Sequence, residues 1–353
     1  MSDNVLEVNN LRTYFYMHGY TVKAVDGVDF HLKKGETLGI VGESGCGKSQ
    51  TSMSIMRLVP DPPGKIVGGE VKLKDRNILK ISENEMRRIR GNNISMIFQE
   101  PMTSLNPVFT VGYQISEALM LHRDMTQEQA LEEAVRLLDT VGISDPEERV
   151  GEYPFQLSGG LRQRVMIAMA MGCEPDVMIA DEPTTALDVT IQAQILRLMR
   201  TLKETKDTSI MFITHDLAVI ASFADRVMVM YAGVVVEQAT VRELFRKPMH
   251  PYTQGLLGSV PVLGELKQKE DGSRRLLNTI PGSLPDHRNF PSGCRFAPRC
   301  PKVMKKCWDA EPALVEVEEG RQVRCYLYSD EVRETPAYQE VKRMQKLAKQ
   351  NRR

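Results

Sequence analysis

The chain of 353 residues carries no net charge, its 46 basic side chains standing against 46 acidic ones. No global field draws it to DNA or RNA, which argues against nucleic acid as its main partner. It also lacks any apolar run near the roughly 20 residues that span a bilayer. The opening residues Met1-Ser2-Asp3-Asn4 have neither the basic region nor the apolar core of a secretory signal. A cytosolic location is therefore expected, with docking on a membrane protein left open. Cysteine is sparse, and the six present are not expected to pair as disulfides in that compartment. They are unevenly spread: Cys46 and Cys173 stand apart, whereas Cys294, Cys300, Cys307 and Cys325 crowd into one stretch. The hydrophobic fraction of 42% is that of a globular protein. The length suits about two domains.

The first part alternates strand-like and helix-like patterns. Residues 5–41 alternate apolar and polar side chains, and Thr37 to Val41 is a short apolar run entering a glycine-rich turn. Gly47 to Leu58 reads as a helix, stopped by Pro60, Pro62, Pro63 and Gly64. Residues 107–156 suggest a helical insertion: Thr126 with Gln129 forms a capping box, and Ala130, Leu131, Ala134, Val135 and Leu138 repeat at helical spacing. Further on, Arg162 to Met171 reads as a helix ended by Gly172, and Ile191 to Thr205 as an amphipathic one. Val177 to Ala180 and Ser209 to Thr214 read as buried strands, and Arg226 to Gln238 as a hairpin turning at Ala232-Gly233. The alternation predicts an α/β fold with a mostly parallel sheet. From about residue 248, eight prolines between Pro248 and Pro301 mark a loop-rich appendage. The segment Val341 to Arg353 has six basic and no acidic side chains, which suits a solvated helical tail or contact with a membrane surface or partner.

Gly42-Glu43-Ser44-Gly45-Cys46-Gly47-Lys48-Ser49 has the spacing of a phosphate-binding loop, between a strand and a helix as the chemistry requires. Its glycines let the backbone curl so that N–H groups and the helix N-terminus face phosphates. Gly42, Ser44, Gly45, Cys46, Gly47, Lys48, Ser49 and Gln50 are the expected binding residues. Lys48 would neutralise β- and γ-phosphate charge and Ser49 would ligate Mg²⁺; Cys46 is given no catalytic role. Met178-Ile179-Ala180 is an apolar strand ending in Asp181 and Glu182. Asp181 is placed for the Mg²⁺ shell and Glu182 to polarise an attacking water, the alternative being a solvated acid at a strand end.

A second glycine-rich loop, Leu157-Ser158-Gly159-Gly160-Leu161-Arg162-Gln163-Arg164-Val165, precedes that carboxylate pair. It resembles the signature of ABC ATPases. The resemblance implies that the backbone amides of Ser158, Gly159 and Gly160 close over ATP held by a partner subunit. It further implies that Gln99 senses Mg²⁺ and the water, that Asp188 links the two sites of a dimer, and that His215 contacts the γ-phosphate. ABC ATPases also stack an aromatic on adenine; of Tyr14, Phe15 and Tyr16, Phe15 is favoured by its spacing to Leu11, with core packing as the alternative.

Cys294-x5-Cys300-x6-Cys307-x17-Cys325 places four soft ligands in a segment with little core of its own. Four thiolates suit Zn²⁺ or an iron–sulfur cluster, but the tight cysteine pairs usual for structural zinc are missing. Free thiols are the third possibility. The wide spacing is similar to the [4Fe–4S] site in the C-terminal region of some peptide importer ATPases. His250-Pro251-Tyr252-Thr253-Gln254-Gly255-Leu256-Leu257, Ile280-Pro281-Gly282 and Gln99-Glu100-Pro101-Met102-Thr103-Ser104-Leu105-Asn106-Pro107 also resemble that oligopeptide/dipeptide and nickel uptake group. Leu161 departs from the Met or Gln that the group often has there.

The resemblance implies an ATPase domain over residues 1–245, with a helical subdomain at about 107–165, and a cysteine-bearing extension over 246–353. It implies ATP and Mg²⁺ as ligands, a second and different ATPase subunit, two membrane permeases and an extracytoplasmic peptide-binding protein. The subunit would lie peripherally on the cytoplasmic face of the cell membrane. Nickel chelates or another solute remain alternative cargoes. A non-transport ABC ATPase is the rival class, against which stand the single ABC unit and the modest separation of Lys48 from Ser158. A redox sensor that borrows the ATPase fold is the third reading.

Overall fold

The computed structural model describes residues 3–99, 104–185, 187–260 and 279–329. Glu100 to Thr103, Ala186, Pro261 and the basic tail Val341 to Arg353 lie outside the described residues.

Two sheets form. The first is antiparallel, built from β1 (Asn4–Met17), β2 (Tyr20–Lys33), β4 (Gly64–Leu73) and β5 (Arg76–Asn77) in the order β2-β1-β4-β5. The second takes β3 (Thr37–Val41), β6 (Ile94–Ile97), β7 (Val177–Asp181), β8 (Ser209–Ile213), β9 (Arg226–Tyr231), β10 (Val234–Thr240), β11 (Val315–Glu318) and β12 (Arg321–Val323). Its order is β11-β12-β10-β9-β3-β8-β7-β6. The β9-β3-β8-β7-β6 part is parallel, as the sequence predicts, and the other pairings are antiparallel.

Every residue of β3, β7 and β8 is buried, because this sheet is covered on both faces. Alternation divides the strands between two cores: Met178 and Ala180 enter one, Val177 and Ile179 the other. The hairpin turns at Ala232 and Gly233, both at positive φ, the geometry that matches strand twist.

Helices α1 (Lys48–Ile55), α2 (Val111–Arg123), α3 (Gln127–Thr140), α4 (Gly159–Met171), α5 (Val189–Lys206) and α6 (Pro251–Gly258) carry the parts of interest. The Thr126–Gln129 capping box forms, and Ala130, Ala134 and Leu138 are buried, but Leu131 is 45% exposed. Helix α4 begins three residues before the predicted Arg162: Ser158 caps it, so Gly159 and Gly160 belong to its first turn. The glycines conceal this start in the sequence, since glycine lowers helix propensity. The loop-rich extension also gives more structure than its prolines suggest. Strand β12 pairs with β10 and joins the main sheet.

Candidate functional site

Four parallel strands end at one edge, and each delivers a candidate residue there: β3 the phosphate loop, β6 Gln99, β7 Asp181 and Glu182, β8 His215. The C-terminal edge of a parallel α/β sheet is where ligands of such folds bind. Gly42, Gly45 and Gly47 all take positive φ, and a Cβ on Gly42 or Gly47 would overlap the Met230 or Ala24 carbonyl oxygen. Lys48 is buried, its ammonium donating to the carbonyls of Gly42 at 2.8 Å and Glu43 at 3.2 Å. Ser54 of α1 meets Thr13 of β1 at 2.6 Å, which ties the loop's helix to the antiparallel sheet.

Glu182 follows β7 with a positive φ of 49°, a sparsely populated conformation for a residue with a side chain. Its backbone is fixed by an N–H bond to Ile213 O at 2.9 Å. Thr185 Oγ1 and Gln99 Nε2 donate to its Oε2 at 2.9 and 3.1 Å, and His215 Nδ1 lies 3.3 Å from Oε1. Side chains from three separate places in the chain thus meet on one carboxylate. Burial opposes ionisation of Glu182, but the bonds from Thr185 and His215, with the charges of His215 and Lys48, outweigh it and hold the carboxyl below its ordinary range. Thr185, three positions after the acid it orients, carries no signal in the sequence that marks this role.

Asp181 behaves oppositely. Burial pushes its carboxyl above the ordinary value against a hydrogen bond from Ser49, and the Glu182 charge adds to the rise. Its Oδ1 and the Oε1 of Gln50 are buried without hydrogen-bond partners. Two unpartnered oxygens beside Ser49 fit a hydrated divalent cation.

Ser158 and Gly159 are exposed, and Gly160 lies against Ile191 of α5. Asp188 caps α5 by accepting from Ile191 N at 2.9 Å. The signature loop and Asp188 therefore sit side by side. Of the three adjacent aromatics, Tyr14 donates to Asp26 at 2.6 Å and Tyr16 is 52% exposed. Phe15 is half-buried, its ring edge filling the space over Gly64.

Cys294, Cys300, Cys307 and Cys325 line one small enclosed pocket with His250 and Phe296. Burial pushes the Cys294 thiol up to about 11 and that of Cys325 up to about 12. The donor identities suit a site of four cysteine ligands. Their arrangement does not reproduce one: among the described residues, no group of three or more His, Cys, Asp or Glu is set to hold a metal ion. The expected [4Fe–4S] cluster, like the alternative Zn²⁺, thus has the right ligand types in one place without the geometry.

Comparison with known proteins places these parts in context. The family profile described as ABC transporter matches residues 25–185, and that described as oligopeptide/dipeptide transporter, C-terminal region, matches 236–307. The chain is 57% identical to the oligopeptide transport ATP-binding protein AppD of Bacillus subtilis, over 93% of this chain and 98% of that one. It is 50% identical to OppD of the same organism, the oligopeptide transport ATP-binding protein, over 98% and 95% of the two chains. It is 52% identical to the dipeptide transport ATP-binding protein DppD, also of Bacillus subtilis, over 92% and 95%. Among solved structures, the ATP-binding cassette MJ0796, a dimer bound to ADP and Pi, superposes with a TM-score of 0.61 at 28% identity, covering 67% of this chain and 99% of that one.

Proposed function

Since the chain belongs to the ATP-binding subunits of oligopeptide/dipeptide ABC transporters, we propose that it energises peptide uptake through a membrane complex. It is an ABC ATPase, and its reaction is the hydrolysis of ATP to ADP and phosphate. The observation that carries the residue assignment is the convergence of Gln99, Thr185 and His215 on Glu182 beside the phosphate loop.

Glu182, ionised, accepts a hydrogen bond from the attacking water and orients it in line with the γ-phosphorus. The new P–O bond forms as the bond to the β-phosphate oxygen breaks, with Glu182 taking the water's proton and ADP leaving with the electron pair. Lys48 balances the charge gathering on the phosphates, and His215 reaches the γ-phosphate. A bound Mg²⁺ would supply neutralisation of the charge on the phosphates; Ser49, Gln50, Gln99 and Asp181 are the residues that would hold it or its waters. Phe15 stacks on adenine.

The exposed N-terminus of α4, with Ser158, Gly159 and Gly160, faces ATP bound by a second, similar subunit, and Asp188 beside it links the two sites. Closure on ATP and reopening after hydrolysis drive two permeases between access states, with an extracytoplasmic binding protein supplying the peptide. Exposed Phe98, next to Gln99, and the exposed stacked pairs Phe109–Tyr113 and Tyr153–Phe155 offer apolar groups suited to a permease helix. Among the described residues no helix is long and apolar enough to cross a membrane. The subunit is assigned to the cytoplasmic face, held there by its contacts with the permeases. Residues 1–245 are taken as the ATPase domain and 246–353 as the extension, whose four cysteines supply the ligand types, though not the arrangement, of a [4Fe–4S] cluster.

Uptake of a labelled peptide into vesicles bearing the assembled complex tests the reading. Uptake that needs ATP and is lost with Glu182→Gln is expected. Uptake of a nickel chelate but of no peptide would overturn the cargo.

A further inference from the structure

Glu43 is the one acidic residue within the phosphate loop, where it brings negative charge toward a polyanionic ligand. Both of its carboxylate oxygens are taken by Arg299 of the extension, at 2.8 and 3.0 Å. The Arg299 side chain is 6% exposed, and its Nε donates to Pro281 O at 2.9 Å, so the guanidinium is fixed before it meets the loop. A second grip falls on the same residue: the Glu43 backbone N–H donates to Tyr252 Oη at 2.9 Å. Tyr252 is fully buried, its ring against Tyr231 and Phe296 at 4.6 and 5.4 Å between centroids. Glu43 in turn closes the curl, because its carbonyl accepts from Cys46 N at 3.2 Å and from the Lys48 ammonium.

The far side of the loop is held from the same extension. Arg295 Nη1 donates to Ala232 O at 2.6 Å, and the next residue, Gly233, donates its N–H to Cys46 O at 2.8 Å. Arg295 also pairs with Asp26.

We propose that Arg299 and Tyr252 are positioning residues for ATP binding: together they neutralise Glu43 and hold the phosphate loop in the curl that receives the triphosphate. The proposal rests on the assignment of this loop to ATP. It gives the extension a part in the nucleotide site.

Titration of the full chain with ATP and Mg²⁺, by calorimetry, tests it. Arg299→Met is expected to weaken ATP binding about 10-fold or more, because a charge-assisted pair is lost and Glu43 is left unneutralised. The double variant Arg299→Met/Glu43→Gln should recover most of that loss, which general damage to the fold would not allow. Tyr252→Phe keeps the ring and removes only the hydroxyl; about a 3- to 10-fold loss is expected. In steady-state hydrolysis the loss should appear in KM, with kcat at saturating ATP changed by less than about threefold. ATP affinity within about twofold of wild type in both Arg299→Met and Tyr252→Phe would overturn the proposal. So would a loss in Arg299→Met that Glu43→Gln fails to relieve. If Arg299→Met does not fold, Tyr252→Phe and Arg299→Lys decide by the same KM criterion. A wild-type chain that fails to bind ATP, with Lys48→Ala no different, would instead remove the ATP assignment beneath it.

Discussion

Thr185 donates its hydroxyl hydrogen to the Glu182 carboxylate across 2.9 Å, on the same oxygen that the Gln99 amide reaches at 3.1 Å. The acid is thus steadied from its own loop and from a strand end far away in sequence. Its ionised form is favoured, so it is a base throughout neutral pH. Because its pKa is lowered, activity should persist as pH falls through the ordinary carboxylate range and fail only below it. Thr185→Val removes one bond to the charged form, worth about 1.5–3 kcal/mol, and should move the acid limb of kcat/KM upward by about one to two pH units. A pH profile coincident with wild type would show that Thr185 does not tune the base.

Glu182→Gln keeps the shape of the site and its bonds to Thr185 and His215 within reach, but cannot take a proton. Hydrolysis in the assembled complex should fall about 10²- to 10⁴-fold while ATP affinity holds. Near-normal turnover would refute the assigned base.

Gly159 separates the effect of pairing from that of folding. A Cβ there would meet nothing within 4 Å in its own chain, and the position opens α4 behind the Ser158 cap. Gly159→Asp should leave the melting temperature and ATP binding of the single subunit unchanged, since an acidic side chain suits a helix N-terminus. The same carboxylate would face the phosphates of the partner's ATP. Hydrolysis by the paired assembly should drop about 10²-fold, and ATP-induced pairing should fail in light scattering. Pairing at wild-type ATP concentrations would contradict the assignment of this loop.

The parts of the site that are legible in the sequence are those encoded by contiguous residues. The phosphate loop, the strand ending in Asp181-Glu182 and the capped helix at Thr126 each carry their geometry in local spacing. Thr185 escapes because a threonine in a short loop has no period. The Arg299–Glu43 pair spans 256 positions, and only the folded sheet brings the extension against the loop. Strands β11 and β12 are illegible because they are short and gain their stability from pairing with β10. Leu131 fits the helical period yet lies on the surface, as many single apolar residues do.

Burial holds the thiols of Cys294, Cys300 and Cys325 above the ordinary thiol value, so these three are protonated at neutral pH. Metal binding would have to displace those protons, so it should weaken as pH falls. Protein purified without oxygen is expected to be brown and to contain iron and acid-labile sulfide. Zinc without iron in elemental analysis would overturn the cluster reading, and so would neither metal, with all six thiols free to titrate after unfolding.

Glu237 and Arg321 form a buried ion pair that fastens the extension to β10. Glu237 is fully buried and Arg321 nearly so, their charged atoms 3.2 Å apart. Glu237 also accepts the backbone N–H groups of Met249 and His250 at 2.9 and 2.8 Å, at the entry to α6. Arg321→Met strips the carboxylate of its only buried cation partner among the described residues while those N–H bonds remain. An uncompensated buried charge of this kind costs about 3–5 kcal/mol, so a clear fall in melting temperature is expected. Glu237→Gln in the Arg321→Met background removes the stranded charge and keeps one acceptor for the backbone. It should return part of the lost stability. If the double variant proved no more stable than the single one, the damage would lie in packing around Arg321 rather than in the charge left on Glu237.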